Sequence, residues 1–261
     1  MTIDYPVKLY KYQSLSTAHT LENIKKSQIW FSKPAHLNDP FDCAIPVVIS
    51  GTDEEYQELY DMFMQNAISE QGRIEVESKY TTNGKVNADF KAHVSKLQSD
   101  LSRIKVDKEF SQMGVACFSE NPECILLWSH YAEGHQGLCL EFDTNYFPFI
   151  DREKLHRVIY SDSYPVISPS AVIHDTFLPI TPLITKSTVW VYENEWRIIM
   201  DKGNDKLKYK PTTLTAIYFG CSITEENKKK IESILVGSPT SLYCMKRSSD
   251  KFAVEAVPYK T

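Results

Sequence analysis

From Gly137 onward the chain is a succession of short strand-like runs separated by turns, with one clear helix among them, and this pattern limits the fold more than any other feature. Residues 137–143, 155–160, 190–200, 206–210, 214–220, 241–246 and 251–259 carry the β-branched and aromatic side chains that suit a pleated sheet. The helix lies between Gly220 and Gly237, where Ser222 and Glu225 have the spacing of a capping box. Upstream, 7–12 and 28–32 read as strands around a helix at 17–26, 114–119 as a buried strand and 122–131 as a short helix. Strands interrupted by few helices, without regular alternation, predict an α+β fold and not a doubly wound sheet.

At 261 residues the chain can bury one large core with a helical insertion, so a single domain over 1–261 is expected. The insertion falls at 52–110. Tyr56, Leu59, Phe63 and Ala67 recur at helical spacing, and after a polar stretch at 81–85 Phe90, Val94, Leu97, Leu101 and Ile104 form a second amphipathic stripe, which together predict a helical hairpin. Charged residues make up 24% and the formal net charge is -5, which gives no global attraction to nucleic acid or to an anionic membrane. The first residues have neither a basic segment nor an apolar run, and no stretch is long enough to span a bilayer, so a cytoplasmic protein without a membrane partner is expected. The six cysteines are scattered without a C-x-x-C pair and are expected to be reduced.

Four clusters carry candidate chemistry. In KSTVWVYENEWR, Glu193, Glu195 and Arg197 stand two apart; read as a strand, this segment puts all three on one face, with its carboxylates roughly 7 Å apart. Like charges so placed raise each other's cost of ionisation, which favours a site over an edge-strand face neutralised by Arg197. In LYKYQSL, Tyr10 and Tyr12 share a strand face, with Lys11 on the other; packing and site are both open there. Residues 33–42 form a proline-punctuated loop in which Asn38, Asp39 and Asp42 can make local Asx hydrogen bonds or line a pocket. Finally, Trp128, Ser129, His130 and Tyr131 end a helix before the strand bearing Glu141 and Asp143. His130, His135 and Cys139 lack zinc-ligand spacing, and no glycine-loop or nucleophile-elbow motif is present, so no metal is expected.

Together LYKY, FSKPAHLNDPFD, CFSENPECILLWSHYAEGHQGLCLEFD and WVYENEWRII, in that order, resemble the bacterial domain-of-unknown-function family 2971. Their layout is also similar to that of the ADP-ribosyltransferase superfamily. That resemblance implies split mixed or antiparallel sheets with the helical hairpin inserted, and NAD as the substrate. Glu193-Asn194-Glu195 matches the E-x-E element of such transferases, so Glu195 is the implied catalytic residue and Glu193 the group that orients or deprotonates the acceptor. Trp128, Tyr131 or Tyr12 would stack on nicotinamide or adenine, Ser32 would hydrogen-bond NAD, and Lys11 or Lys186 would face its pyrophosphate. Tyr10, Asn38, Asp39, Phe41, Ser129, His130 and Arg197 complete the implied NAD-binding set. Lys11 stands where a histidine or arginine is typical.

The expectation is an NAD-using enzyme that modifies a macromolecular acceptor, protein or nucleic acid, in the setting of a toxin or anti-phage effector. Two other readings stay open. One is a cofactor-free N-glycosidase or metal-dependent nuclease with Asp39, Asp42, Glu141 or Asp143 as candidate acids. The other is a non-enzymatic module that binds a partner through Trp128, Tyr131 and the helical hairpin.

Overall fold

The computed structural model describes residues 4–17, 19–43, 45–46, 48–65, 69–108, 110–146, 148–174 and 180–259, with side chains for all of these except 98–107 and 172–174. The chain forms two compact units. Unit 1 comprises 1–36, 113–158 and 189–261, and unit 2 comprises 37–112 and 159–188.

The chain opens in unit 1 with β1 (Lys8–Gln13), α1 (Thr20–Lys25) and β2 (Gln28–Phe31), then builds α2 (Asp53–Gln65), α3 (Glu70–Tyr80) and α4 (Ala88–Lys108) in unit 2. It returns with β3 (Gly114–Ser119), α5 (Ile125–Tyr131), β4 (Leu138–Asp143) and β5 (Leu155–Arg157). Two short helices, α6 (Pro169–His174) and α7 (Thr181–Ile184), belong to unit 2. Unit 1 is completed by β6 (Glu195–Met200), β7 (Asp205–Lys208), β8 (Leu214–Phe219), α8 (Glu225–Ile234), β9 (Ser241–Arg247) and β10 (Val254–Pro258).

Eight of these strands form one mixed sheet in the order β10-β9-β8-β4-β1-β3-β6-β5, so the α+β class is correct. Every neighbouring pair is antiparallel except β8–β9, which are parallel and joined through α8. That helix is capped by Thr224, whose side chain accepts from the Asn227 amide, and not by Ser222; the capping residue stands two positions later than the spacing predicts. β1 pairs with β4 over six residues, and β3 with β6 over six, but β1 and β3 meet at a single register, Tyr10 opposite Ser119.

Side-chain alternation gives this sheet two apolar faces. Leu9, Phe118, Leu140, Phe142, Trp196 and Ile217 lie in the larger cluster, with Phe149 and Ile231 packed among them. The opposite face carries Tyr12, Cys139, Ala216 and Tyr218, covered by Leu127 and Trp128 of α5. Burial of each large aromatic or aliphatic side chain contributes about 1.5–3 kcal/mol, so the two clusters hold the sheet rigid at its centre.

In unit 2, Tyr56, Leu59 and Tyr60 of α2 pack with Tyr80, Phe90 and Val94. Where the sequence predicts two helices over 52–110, three form. α3 is mostly polar, with Val76 and Tyr80, one turn apart, packed on this cluster and Tyr80 its one buried residue; its start is fixed by Ser69, which accepts from the Gly72 amide. The polar stretch after it is a tight hairpin, Thr81–Thr82 against Lys85–Val86, with Asn83 and Gly84 both at positive φ as a type I′ turn requires. Ala67 and the side chains of Leu101 and Ile104 lie outside the described residues.

Candidate functional site

The segment that carries the two glutamates is not one strand. Thr188–Glu193 is a 3-10 helix, Asn194 takes φ 42, and β6 begins at Glu195. Val189 and Val191, which suggest a strand in the sequence, are exposed, so no sheet face draws them in. Glu195 and Arg197 do share a strand face, whereas Glu193 reaches the site from the preceding turn. Asparagine tolerates the left-handed conformation that this change of direction needs.

All three charged groups are buried. The Arg197 guanidinium forks onto Glu195, Nε to Oε1 at 2.8 Å and Nη2 to Oε2 at 3.0 Å. The Tyr131 hydroxyl donates to Glu193 Oε1 at 2.8 Å, and Ser119 Oγ donates to the Glu193 carbonyl at 2.6 Å. The Trp196 indole N–H, on the other face of β6, donates to Glu120 Oε1 at 2.6 Å and ties the start of the strand to the loop after β3.

Register places these groups in a wider arrangement. Glu195 faces Ser119, Ser119 faces Tyr10 and Tyr10 faces Glu141, one row across β6, β3, β1 and β4. Paired residues in antiparallel strands project to the same side, so an acid, a serine, a tyrosine and a second acid stand side by side. Glu141 accepts from Lys8 Nζ (2.7 Å), Thr215 Oγ1 (2.7 Å) and Tyr218 Oη (2.6 Å). Burial alone would raise its pKa; the donors outweigh it and leave the carboxyl below its ordinary range. Burial, together with Glu141, pushes the Tyr10 and Tyr218 phenols well above the usual value, so both stay protonated donors.

Lys11 Nζ donates to the Cys117 carbonyl at 3.0 Å and lies 5.1 Å from the centre of the Phe118 ring. Loss of hydration lowers its pKa, against the opposing pull of nearby negative charge, Glu195 included. It fills the place where β1 and β3 cease to pair.

The helix before the site is shaped by its own motif. Trp128 is 0% exposed, donates its indole N–H to the Pro122 carbonyl and packs against Tyr12 and His135. Glu133, Gly134 and His135 all take positive φ and end α5 with amides turned back to it, His135 to Trp128 and Gly134 to Ser129. Gly137 has no room for a side chain, since a Cβ there would lie 2.2 Å from the Gln13 carbonyl of β1.

Several of the residues with implied roles are enclosed or already paired. Trp128 and Tyr12 have no open ring face; Tyr12 is buried, with its hydroxyl bonded to the Asn121 carbonyl, so both support the site from within. Arg197 is committed to Glu195, and Lys186, assigned to a pyrophosphate, is buried in unit 2 beside Asp42 at 3.5 Å. Ser32 pairs through its backbone with Val115, four residues and roughly 13 Å along β3 from Ser119. The chain contains Phe-Ser three times, at 31–32, 110–111 and 118–119, and it is the last of these serines, Ser119, that faces Glu195. That repeat was the signal available for Ser119.

Tyr10 and Tyr131 keep part of their surface. Ser129 and His130 are exposed; Ser129 Oγ donates to the Ile125 carbonyl, and the His130 ring meets Tyr131 and Trp190 edge-on. Asn38, Asp39 and Phe41 belong to unit 2, where Asp39 accepts from the Phe41 amide as an Asx turn and Phe41 is exposed. Among the described residues no group of three His, Cys, Asp or Glu is placed to hold a metal, and no helix is long and apolar enough to cross a membrane.

A family model described as a protein of unknown function (DUF2971) matches residues 127–198, which include both the Trp128–Gly137 turn and the Glu193–Arg197 segment. No curated protein and no solved structure matches the chain.

Proposed function

We propose that this protein is an ADP-ribosyltransferase-like enzyme that uses NAD to modify a macromolecular target, in the setting of a toxin or anti-phage effector. The observation that carries the reading is the placement of Glu195: it heads β6, faces Ser119, and lies next to the one register at which β1 and β3 touch. A carboxylate fixed where a sheet opens suits a reaction that develops positive charge on a ribose.

In the proposed step the bond between ribose C1′ and the nicotinamide nitrogen breaks, and nicotinamide leaves with the bonding pair. Glu195 stabilises the oxocarbenium-like centre; Arg197 fixes its orientation through the two-pronged contact, so no reorganisation is needed as charge develops. The acceptor nucleophile bonds to C1′ and gives its proton to Glu193, which Tyr131 holds in place. With Trp128 and Tyr12 enclosed, Tyr10 and Tyr131 are the rings left to stack on the substrate.

Burial of the Glu195–Arg197 pair favours a second reading, a partner-binding module in which the pair is scaffold only. Calorimetry with NAD separates the two. The enzyme reading predicts saturable binding that Tyr131→Ala weakens at least ten-fold; a folded wild-type protein that takes up no NAD contradicts it and leaves the binding module.

A further inference from the structure

Unit 1 contains a concave feature that the reading above does not use. A cavity of about 480 Å³ opens between α5, the turn after β8 and the turn joining β9 to β10. This volume falls in the range of small-molecule sites, roughly 300–1,000 Å³. Its apolar side is formed by Ile125, Leu126 and Val254, and Phe252 stands at it fully exposed to water. An unsupported phenyl ring beside two partly exposed aliphatic side chains is apolar surface with nothing covering it.

The polar lining has one sign of charge. Arg247 and Lys251 contribute cations, and no aspartate or glutamate lines the cavity, although the chain as a whole carries more acids than bases. Lys251 shares its charge with Glu255 at 3.6 Å, whereas Arg247 has no acidic partner among the described residues. Burial lowers the pKa of His135, which therefore adds no charge at neutral pH. Its Nε2 lies 3.3 Å from Ser129 Oγ, which also donates to the Ile125 carbonyl. An unpaired guanidinium next to open apolar surface is complementary to a ligand that presents an anionic head and an apolar body.

We infer that this cavity is a binding site for a small amphipathic anion, with a phosphate or carboxylate on Arg247 and an aliphatic or aryl body against Ile125, Leu126 and Phe252. The inference does not depend on NAD chemistry: Ser129 lines the cavity, but Arg247, Phe252, Ile125 and Leu126, which carry the argument, are not among the residues assigned to NAD. Octyl phosphate, used below its micelle concentration, is the probe, with octylammonium as the control of opposite charge.

Calorimetry should give saturable one-to-one binding of octyl phosphate, weakened at least ten-fold by Arg247→Gln and by Phe252→Ser, and no binding of octylammonium. Both positions are exposed, so neither substitution threatens the fold. Absence of saturable binding, an affinity that either substitution leaves unchanged, or equal uptake of octylammonium would each overturn the proposal.

Discussion

At the scale of single residues the central object is a buried ion pair whose two halves cannot be separated without penalty. Arg197 is 0% exposed and Glu195 3%, so a neutral partner on either side leaves a desolvated charge behind. Glu195→Gln should therefore lower stability by about 3–5 kcal/mol in urea unfolding, and the double substitution Glu195→Gln with Arg197→Gln should cost less than the sum of the singles. Additive costs would mean that the two groups do not interact as placed. Glu141 makes a pH-dependent contribution of known sign. Its folded pKa lies below the unfolded value of about 4.3, so its stabilisation is fully present above that pH and is lost as pH falls through the lower folded value. Glu141→Gln should cost about 2–3 kcal/mol at pH 7 and progressively less below about pH 4. An equal cost at pH 7 and pH 3 would refute the assignment of donors to the ionised carboxylate.

Elements position these residues through close backbone approach as much as through side-chain contacts. α5 ends in three left-handed residues, and β4 leaves it through Gly137, which touches β1 with no space for a methyl group. Gly137→Ala has backbone as its obstacle, 2.2 Å from the Gln13 carbonyl and 3.0 Å from Ala132, so neither neighbour can rotate away. It should destabilise unit 1 by more than about 2 kcal/mol and raise amide exchange in β1 and β4; a neutral effect would contradict that packing. Most of these elements were readable in the sequence, because β-branched and aromatic runs mark strands whatever their partners. α3 was not, since only Val76 and Tyr80 repeat at helical spacing along it, and beyond their packing its helicity rests on a cap and on local propensity. The turn before β6 reads as strand in the sequence because Val189 and Val191 suggest a sheet residue by residue, while their exposure is decided by the rest of the fold.

For the whole molecule, what the sequence could not supply is register. Glu193, Glu195 and Arg197 were legible as a group because they are neighbours in the chain, yet Tyr10, Ser119 and Glu141 join Glu195 only through pairings between distant strands. Burial was equally hidden: Trp128, Tyr12 and Arg197 read as ligand contacts, but the sheet and α5 enclose them. Few groups around the carboxylate pair are exposed: Tyr131 bonds Glu193, Arg197 holds Glu195, and Tyr10 stands two strands from Glu195 with Ser119 between them. The most direct test of this account is release of nicotinamide from NAD, followed in wild-type protein, in Glu195→Gln and in the less disruptive Tyr131→Phe. The account predicts release by the wild type, loss of at least a hundred-fold in Glu195→Gln, and a smaller loss in Tyr131→Phe with its fold intact. Release that is absent from folded wild-type protein, or unchanged in a folded Glu195→Gln variant, would contradict it.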